Sequence, residues 1–339
     1  MSRLIALHDA DAEHFGRLNK FPNYALMKIS AWHKQQGDEV VWFSPIEAQF
    51  YDLVYSSKIF DFVPENPYLP ENTIKGGTGY GLFQDLPDEI DRMYPDYSLY
   101  PDCDYAIGFL TRGCPNKCSW CYVPQKEGDI YPYRTWQEIV RADTNKLTLM
   151  DNNILAHPHG IEQLRQLAET DYRLDINQAM SVFLVTPETA DILSRCKWQK
   201  FIRFSVDQKA QIEGMYRTAD LLAERGIPNS KLFIYCLLTE DLEDDLRRIY
   251  AMRKLKSATL YGMPIRISAK ALCRNAGRTL WHRNISILGN GEKSTGRSGK
   301  KIINFTSRRI YEKTYQQAEM SELHPQVRLP VSGLFQGCG

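Results

Sequence analysis

The chain has 339 residues, more than one ordinary domain needs, so a core of about 200 residues with further parts attached is expected. Hydrophobic residues make up 43% and charged residues 24%, which suits a packed globular interior, and a net charge of +1 gives no ground by itself for a nucleic-acid or membrane partner. No apolar run reaches the roughly 18 residues of a membrane span, so the expectation is a cytoplasmic protein whose thiols stay reduced, where clustered cysteines read as metal ligands.

The first hundred residues read as a small α/β unit. "RLIALHD" (Arg3 to Asp9) has the look of a buried strand, and "YALMKISAWHKQQ" sets Ala25, Leu26, Ile29 and Trp32 on one helical stripe that stops at Gly37. "DEVVWF" and "YDLVYSS" supply two more strands, an alternation that favours a parallel sheet. "KGGTGYG" (Lys75 to Gly81) and the Pro- and Asp-rich run after it break the periodicity and read as a linker, with a boundary near Tyr97.

A longer alternation follows over 98–270. Candidate strands are "YAIGFL", "KLTLM", "SVFLV" (Ser181 to Val185), "FIRFSV", "KLFIYCLL" and "ATLYGMPIRI". Helical patterns separate them, among them "TWQEIVRA", opened by a Thr135/Glu138 capping box, and "DLEDDLRRIYAMRK" with Leu242, Leu246 and Ile249 on one face. Such a series predicts a parallel, curved β/α sheet, an open barrel or a doubly wound layer, with its site at the C-terminal ends of the strands. The segment 271–339 changes character: between Arg266 and Lys313 twelve Lys or Arg stand against two acids, around "LGNGEKSTGRSGKK". It reads as a basic, irregular segment, either a solvated tail or a contact surface for an RNA backbone.

The chemistry concentrates in "TRGCPNKCSWCYVPQKEG", which begins just after the first strand of that series. Cys114, Cys118 and Cys121 are spaced C-x3-C-x2-C, while Cys103, Cys196, Cys236, Cys273 and Cys338 are scattered. A closed zinc site usually draws four ligands from two such pairs, and no second pair exists. Three thiolates on one loop can instead hold three corners of a four-iron cube and leave one iron open. Cys236, in mid-strand among apolar residues, reads as a buried core thiol.

This motif, with Trp120 before the third cysteine, resembles the radical S-adenosylmethionine superfamily. The resemblance implies a partial (β/α)6 TIM-type barrel at 98–270, a [4Fe–4S] cluster on Cys114, Cys118 and Cys121, and S-adenosylmethionine chelating the fourth iron. Reductive cleavage to a 5′-deoxyadenosyl radical would then act on an unknown substrate, with a flavodoxin- or ferredoxin-type donor supplying the electron. It places Trp120 by the adenine. Where the family often has Gly-Gly-Glu for the methionyl amine, this chain has "MDNN", so Asp151, Asn152 and Asn153 are either the amine's partners or a plain Asp/Asn turn. Ser205 and Asp207 correspond to polar groups for the ribose and carboxylate, with Arg203 as an anion partner and Gln178 near ligand or substrate. Tyr122, Glu127 and His157 fall near the mouth.

The order of units also resembles the cobalamin-dependent branch, which makes 1–97 a Rossmann-like, cobalamin-domain-like unit. Cobalamin itself is not expected, because Asp11, His14 and Gly16 stand out of register with that branch's Asp-x-His-x-x-Gly, and Gly76 and Gly77 read as a turn. Methylthiotransferases share "C-x-x-C-x-x-P" with "CSWCYVP", but their second cluster has no cysteines here before Cys103. The competing class is a non-catalytic iron–sulfur or zinc protein used for electron transfer or sensing.

Overall fold

The computed structural model describes residues 2–16, 21–264 and the strand at 285–288. Strand β1 (Leu4–Asp9) runs straight into a short helix α1 (Ala10–Phe15), and Asn23 caps α2 (Tyr24–Gln35) by accepting from the Leu26 N–H at 3.2 Å. Strands β2 (Glu39–Trp42), β3 (Leu53–Ser57) and β4 (Ile74–Gly76) complete a wholly parallel sheet of order β2-β1-β3-β4. The expected linker is therefore partly sheet. Gly77 has φ +101°, and a Cβ there would lie 2.4 Å from the Lys58 carbonyl oxygen, so a glycine is what lets β4 close on β3. Further along that stretch, α3 (Asp88–Asp91) buries Ile90, and Leu99 joins Ile5, Leu7, Leu26, Met27 and Ile29 in one apolar cluster. Each such side chain taken from water is worth ~1.5–3 kcal/mol, enough to hold the segment down.

The second unit begins with β5 (Ala106–Gly108) and β6 (Thr111–Arg112), then α4 (Val123–Lys126) and β7 (Tyr131–Pro132). The regular part follows: β8 (Lys146–Leu149), α5 (Pro158–Leu167), β9 (Arg173–Ile176), β10 (Met180–Ser181), α6 (Pro187–Arg195) and β11 (Lys197–Trp198). It ends with β12 (Ile202–Ser205), α7 (Gln211–Ala223), β13 (Leu232–Leu238), α8 (Leu242–Met252), β14 (Thr259–Pro264) and β15 (Ile285–Leu288). Helices α5 to α8 turn Leu164, Leu167, Ile192, Leu193, Met215, Leu222, Ile249 and Met252 into one core shared with the strands.

Three expectations are corrected. The six-strand run is not one continuous ladder: the strands form two sheets, β11-β9-β8-β5 and β10-β12-β13-β14-β15, parallel except where β15 joins β14 antiparallel. Between β9 and β12 a side chain spans instead, with Arg203 donating to the Ile176 carbonyl at 3.1 Å and to the Asp175 carboxylate. The third strand is "RLDI", while of "SVFLV" only Ser181 lies in a strand, followed by a 3-10 turn at Val182–Leu184. "TWQEIVRA" keeps its capping box, with Glu138 accepting from the Thr135 N–H at 2.7 Å, but a single 3-10 turn follows, because Ile139 is drawn into the core. Apart from the strand at 285–288, the basic segment lies outside the described residues.

Candidate functional site

The cysteine loop leaves the C-terminal end of β5 and is fixed at both feet by carboxylates. Asp151, at the end of β8, accepts from the Leu110 N–H (3.2 and 3.1 Å), the Thr111 N–H (2.5 Å) and the Thr111 hydroxyl (2.7 Å). It is wholly buried, and burial pushes its carboxyl up to about 6 despite these donors. Glu127, after α4, accepts from the Arg112 guanidinium (2.7 Å), the Gly113 N–H (2.8 Å) and the Asn152 amide (2.8 Å). Gly113 has φ +78°, and a Cβ there would lie 2.2 Å from the Asp129 carbonyl oxygen, so glycine is required where the loop sets off. The antiparallel pair β6–β7 and the Cys114 N–H to the Gly128 carbonyl (3.1 Å) close the base.

Cys114 and Cys118 are half-buried and Cys121 is exposed. The Asn153 amide nitrogen lies 4.0 Å from Cys114 Sγ, and the Val123 N–H donates to Cys121 Sγ at 3.4 Å. Burial raises the Cys114 thiol. It also raises Cys118, which the charges of Cys121, Cys114 and Asp207 push further the same way. The three thiols and Asp207, from the end of β12, thus share one neighbourhood. Among the described residues no three His, Cys, Asp or Glu side chains are gathered closely enough to hold an ion as they stand. The donor set nonetheless fits an iron–sulfur cluster: three soft thiols on one anchored loop, with N–H groups directed at two of the sulfurs.

The other expected residues divide. Asp151 is not available to an ammonium group, since its oxygens are committed to the Leu110–Thr111 backbone. Asn152 donates to Glu127. Asn153 is buried, accepts from the Ser181 N–H at 3.4 Å and faces Cys114. Asp207, two residues after Ser205, accepts from the Leu237 N–H at 2.9 Å, and burial raises its carboxyl. Arg203, expected to meet an anion of the ligand, is spent on Asp175 instead. Trp120 is half-buried within the loop, and Gln178 is exposed between β9 and β10. Tyr122 is exposed beside Phe83 (ring centroids 6.2 Å apart), and His157 Nδ1 accepts from the His159 N–H at 3.1 Å as the cap of α5. Cys236 is buried as expected, and its thiol is pushed up to about 12.

Sequence reading missed the roles of Arg112 and Arg248. Arg248 is fully buried and donates to the Val206 (3.0 Å) and Leu237 (2.8 Å) carbonyls and to Asp244 (2.7 Å), tying the ends of β12 and β13 beside Asp207. The signal was its spacing of three and four residues from Asp245 and Asp244 on α8. A shallow depression of about 420 Å³ lined by Arg141, Asp143, Asn145 and Tyr172 lies at the opposite rim, before β8 and β9, and contains none of these groups.

The N-terminal sheet has its own polar rim. His8 pairs through Nδ1 with Ser56 Oγ (2.7 Å) and through Nε2 with Glu13 (2.6 Å), and Asp9 accepts from Tyr100 (2.7 Å). Asp11 accepts from the Ile59 N–H (2.7 Å), and Asn23 donates to Ser57 (2.8 Å). His14 is exposed, its ring edge-on to Phe15 and Phe62.

Residues 109–250 match the family model described as the radical SAM superfamily. A bacteriochlorophyllide d C-12(1)-methyltransferase of Chlorobaculum tepidum is 29% identical over a stretch covering 30% of this chain and 26% of that protein. Two solved structures of the cobalamin-dependent S-adenosylmethionine radical enzyme OxsB, one with aqua-cobalamin and one with aqua-cobalamin and S-adenosylmethionine, are 12% identical with a TM-score of 0.53. The likeness covers 79% of this chain and 54% of theirs, so the chain spans about half their length and shares their fold. Among the described residues no helix is long and apolar enough to cross a membrane.

Proposed function

The chain belongs to the radical S-adenosylmethionine superfamily through residues 109–250, and from that premise we propose an enzyme in which Cys114, Cys118 and Cys121 hold a [4Fe–4S] cluster and S-adenosylmethionine completes it. The observation that carries the reading is the three-cysteine loop leaving the C-terminal end of β5, anchored by Asp151 and Glu127, with Cys114 beside Asn153 after the end of β8. When bound, the cluster would supply a low-potential electron to the sulfonium of the co-substrate. The chain's own part is positional. Asp151 and Glu127 anchor the loop, the Asn153 amide and the Val123 N–H face sulfur, and Ser205 with Asp207 offers polar groups across from it.

In this reading Trp120 lies by the adenine, and Asn153 replaces Asp151 as the group nearest the methionyl amine. The three units remain 1–97, 98–270 and 271–339, the first Rossmann-like and the second a partial (β/α)6 barrel divided between β9 and β12. A soluble, cytoplasmic enzyme using a flavodoxin- or ferredoxin-type donor completes it. Anaerobic reconstitution tests it: about four irons and four sulfides per chain, and an electron-paramagnetic signal that changes on adding S-adenosylmethionine, are expected. A reconstituted chain holding zinc and no sulfide would overturn it.

A second reading, cobalamin-dependent methyl transfer, is favoured by the names of the relatives. The N-terminal rim fits it poorly: His8 has both ring nitrogens engaged, so a histidine ligand to cobalt would have to come from the exposed His14.

A further inference from the structure

Arg112 stands two residues before Cys114 with its side chain 13% exposed, and Glu127, its partner at 2.7 Å, is 8% exposed. The guanidinium lies over the rings of Phe109 (4.5 Å) and Tyr133 (5.5 Å), and its buried Nε has no hydrogen-bond partner. A second carboxylate, Asp85, lies 3.9 Å away but is 59% exposed. One cation is thus held among aromatic walls at the foot of the cysteine loop and balanced chiefly by one buried anion. The aromatic walls and the burial remove water that would otherwise screen the pair, so changing either charge is felt at the neighbouring sulfurs. Glu127 also bonds the Gly113 N–H, adjacent to Cys114, which puts its charge within reach of that thiol.

We propose that Arg112 and Glu127 are a charge pair that sets the reduction potential of the cluster held by Cys114, Cys118 and Cys121, an inference that rests on the cluster reading above. Reduction adds one electron, taken from dithionite or a protein donor, and no bond forms or breaks. A nearby positive charge favours the reduced form and raises the potential, and local charge is among the factors that tune such clusters. Glu127 cancels Arg112 and keeps the potential low, as a strong reductant requires. Both are positioning residues, since neither touches the reacting atoms.

The test is a potentiometric titration of the reconstituted full chain, followed by electron paramagnetic resonance, with iron and sulfide counted in each variant. Glu127→Gln, which can still accept from Gly113, is expected to shift the potential upward, and Arg112→Gln downward. The double variant should return towards wild type, and Asp85→Asn should give a smaller upward shift because solvent screens it. A wild-type cluster with Glu127→Gln and Arg112→Gln both at the wild-type potential overturns this inference alone. Loss of the cluster from both variants assigns the pair a merely structural role and also overturns it. A wild-type chain that takes up no iron and sulfide overturns the cluster reading, and this inference with it.

Discussion

The N-terminal sheet and the strands of the second unit end in polar rims that are built in opposite ways. At the N-terminal rim the polar side chains bond one another: His8 to Ser56 and Glu13, Asp9 to Tyr100, Asn23 to Ser57. At the cysteine rim the strongest polar bonds lie below the reactive groups, where Asp151 and Glu127 grip the backbone at Leu110 to Gly113. The thiols themselves have only long contacts to Asn153 and Val123 among the bonds described. A rim that satisfies itself is a structural device. A rim with anchored feet and lightly bonded sulfurs is prepared for something to be added, because the anchoring spares a ligand the cost of ordering the loop.

Substitutions in each rim should separate these roles. The largest effect is expected from Cys118→Ala, which should leave less than about a tenth of the wild-type iron and sulfide after reconstitution, since two thiolates cannot hold the cube. Iron content and visible absorbance measure it.

Asp151→Asn keeps only one of the two oxygens that accept from Leu110 and Thr111 and turns a fixed NH2 donor towards those N–H groups. At pH 5 a loss of about 2–3 kcal/mol in unfolding free energy is expected by denaturant titration. The pH dependence has a definite sign. The folded value of about 6 stands above the ordinary ~3.9, so the wild-type stabilisation is full below pH ~4 and is lost as pH rises through 6. The gap between wild type and Asp151→Asn should therefore narrow between pH 5 and 7, and a gap that widens would contradict the burial argument.

His8→Ala should cost about 1–2 kcal/mol by emptying a buried site and removing one of the two partners of Ser56, which keeps Tyr80 at 2.7 Å, with iron content unchanged. Altered cluster content in that variant would break the contrast between the rims. The smallest effect is expected from Asn153→Ala: the cluster forms, and the response to S-adenosylmethionine weakens by about tenfold, the ~1.4 kcal/mol scale of one hydrogen bond. Titrating the spectral change reads it.

Local signals in the sequence were enough to place much of this. Spacing and place in the β/α series located the cysteine loop, and apolar runs located β8, β12, β13 and the start of β14 within a residue or two. What escaped depends on contacts distant in sequence. "RLDI" is short and carries two charges, so it did not read as a strand until β8 paired with it. "KGGTGYG" reads as a turn by composition, and only its first two residues, Lys75 and Gly76, become sheet, through β3. "MDNN" offers three polar residues that read alike, as partners of the amine or as a plain turn. Burial then split them: Asp151 turns inward to the loop's backbone, Asn152 to Glu127, and Asn153 to Cys114. Glu127 lies fourteen and fifteen residues from the groups it grips, with no periodicity to announce it.

The central claim is that the loop at Cys114 to Cys121 is completed by S-adenosylmethionine and turns it over. The most direct measurement incubates the reconstituted, dithionite-reduced chain with S-adenosylmethionine under anaerobic conditions and quantifies 5′-deoxyadenosine by mass spectrometry. The account predicts its formation by wild type and its absence in Cys118→Ala. A fully loaded wild-type cluster that cycles with reductant, yields no 5′-deoxyadenosine and shows no spectral response to S-adenosylmethionine would contradict it and leave an electron-transfer protein in its place.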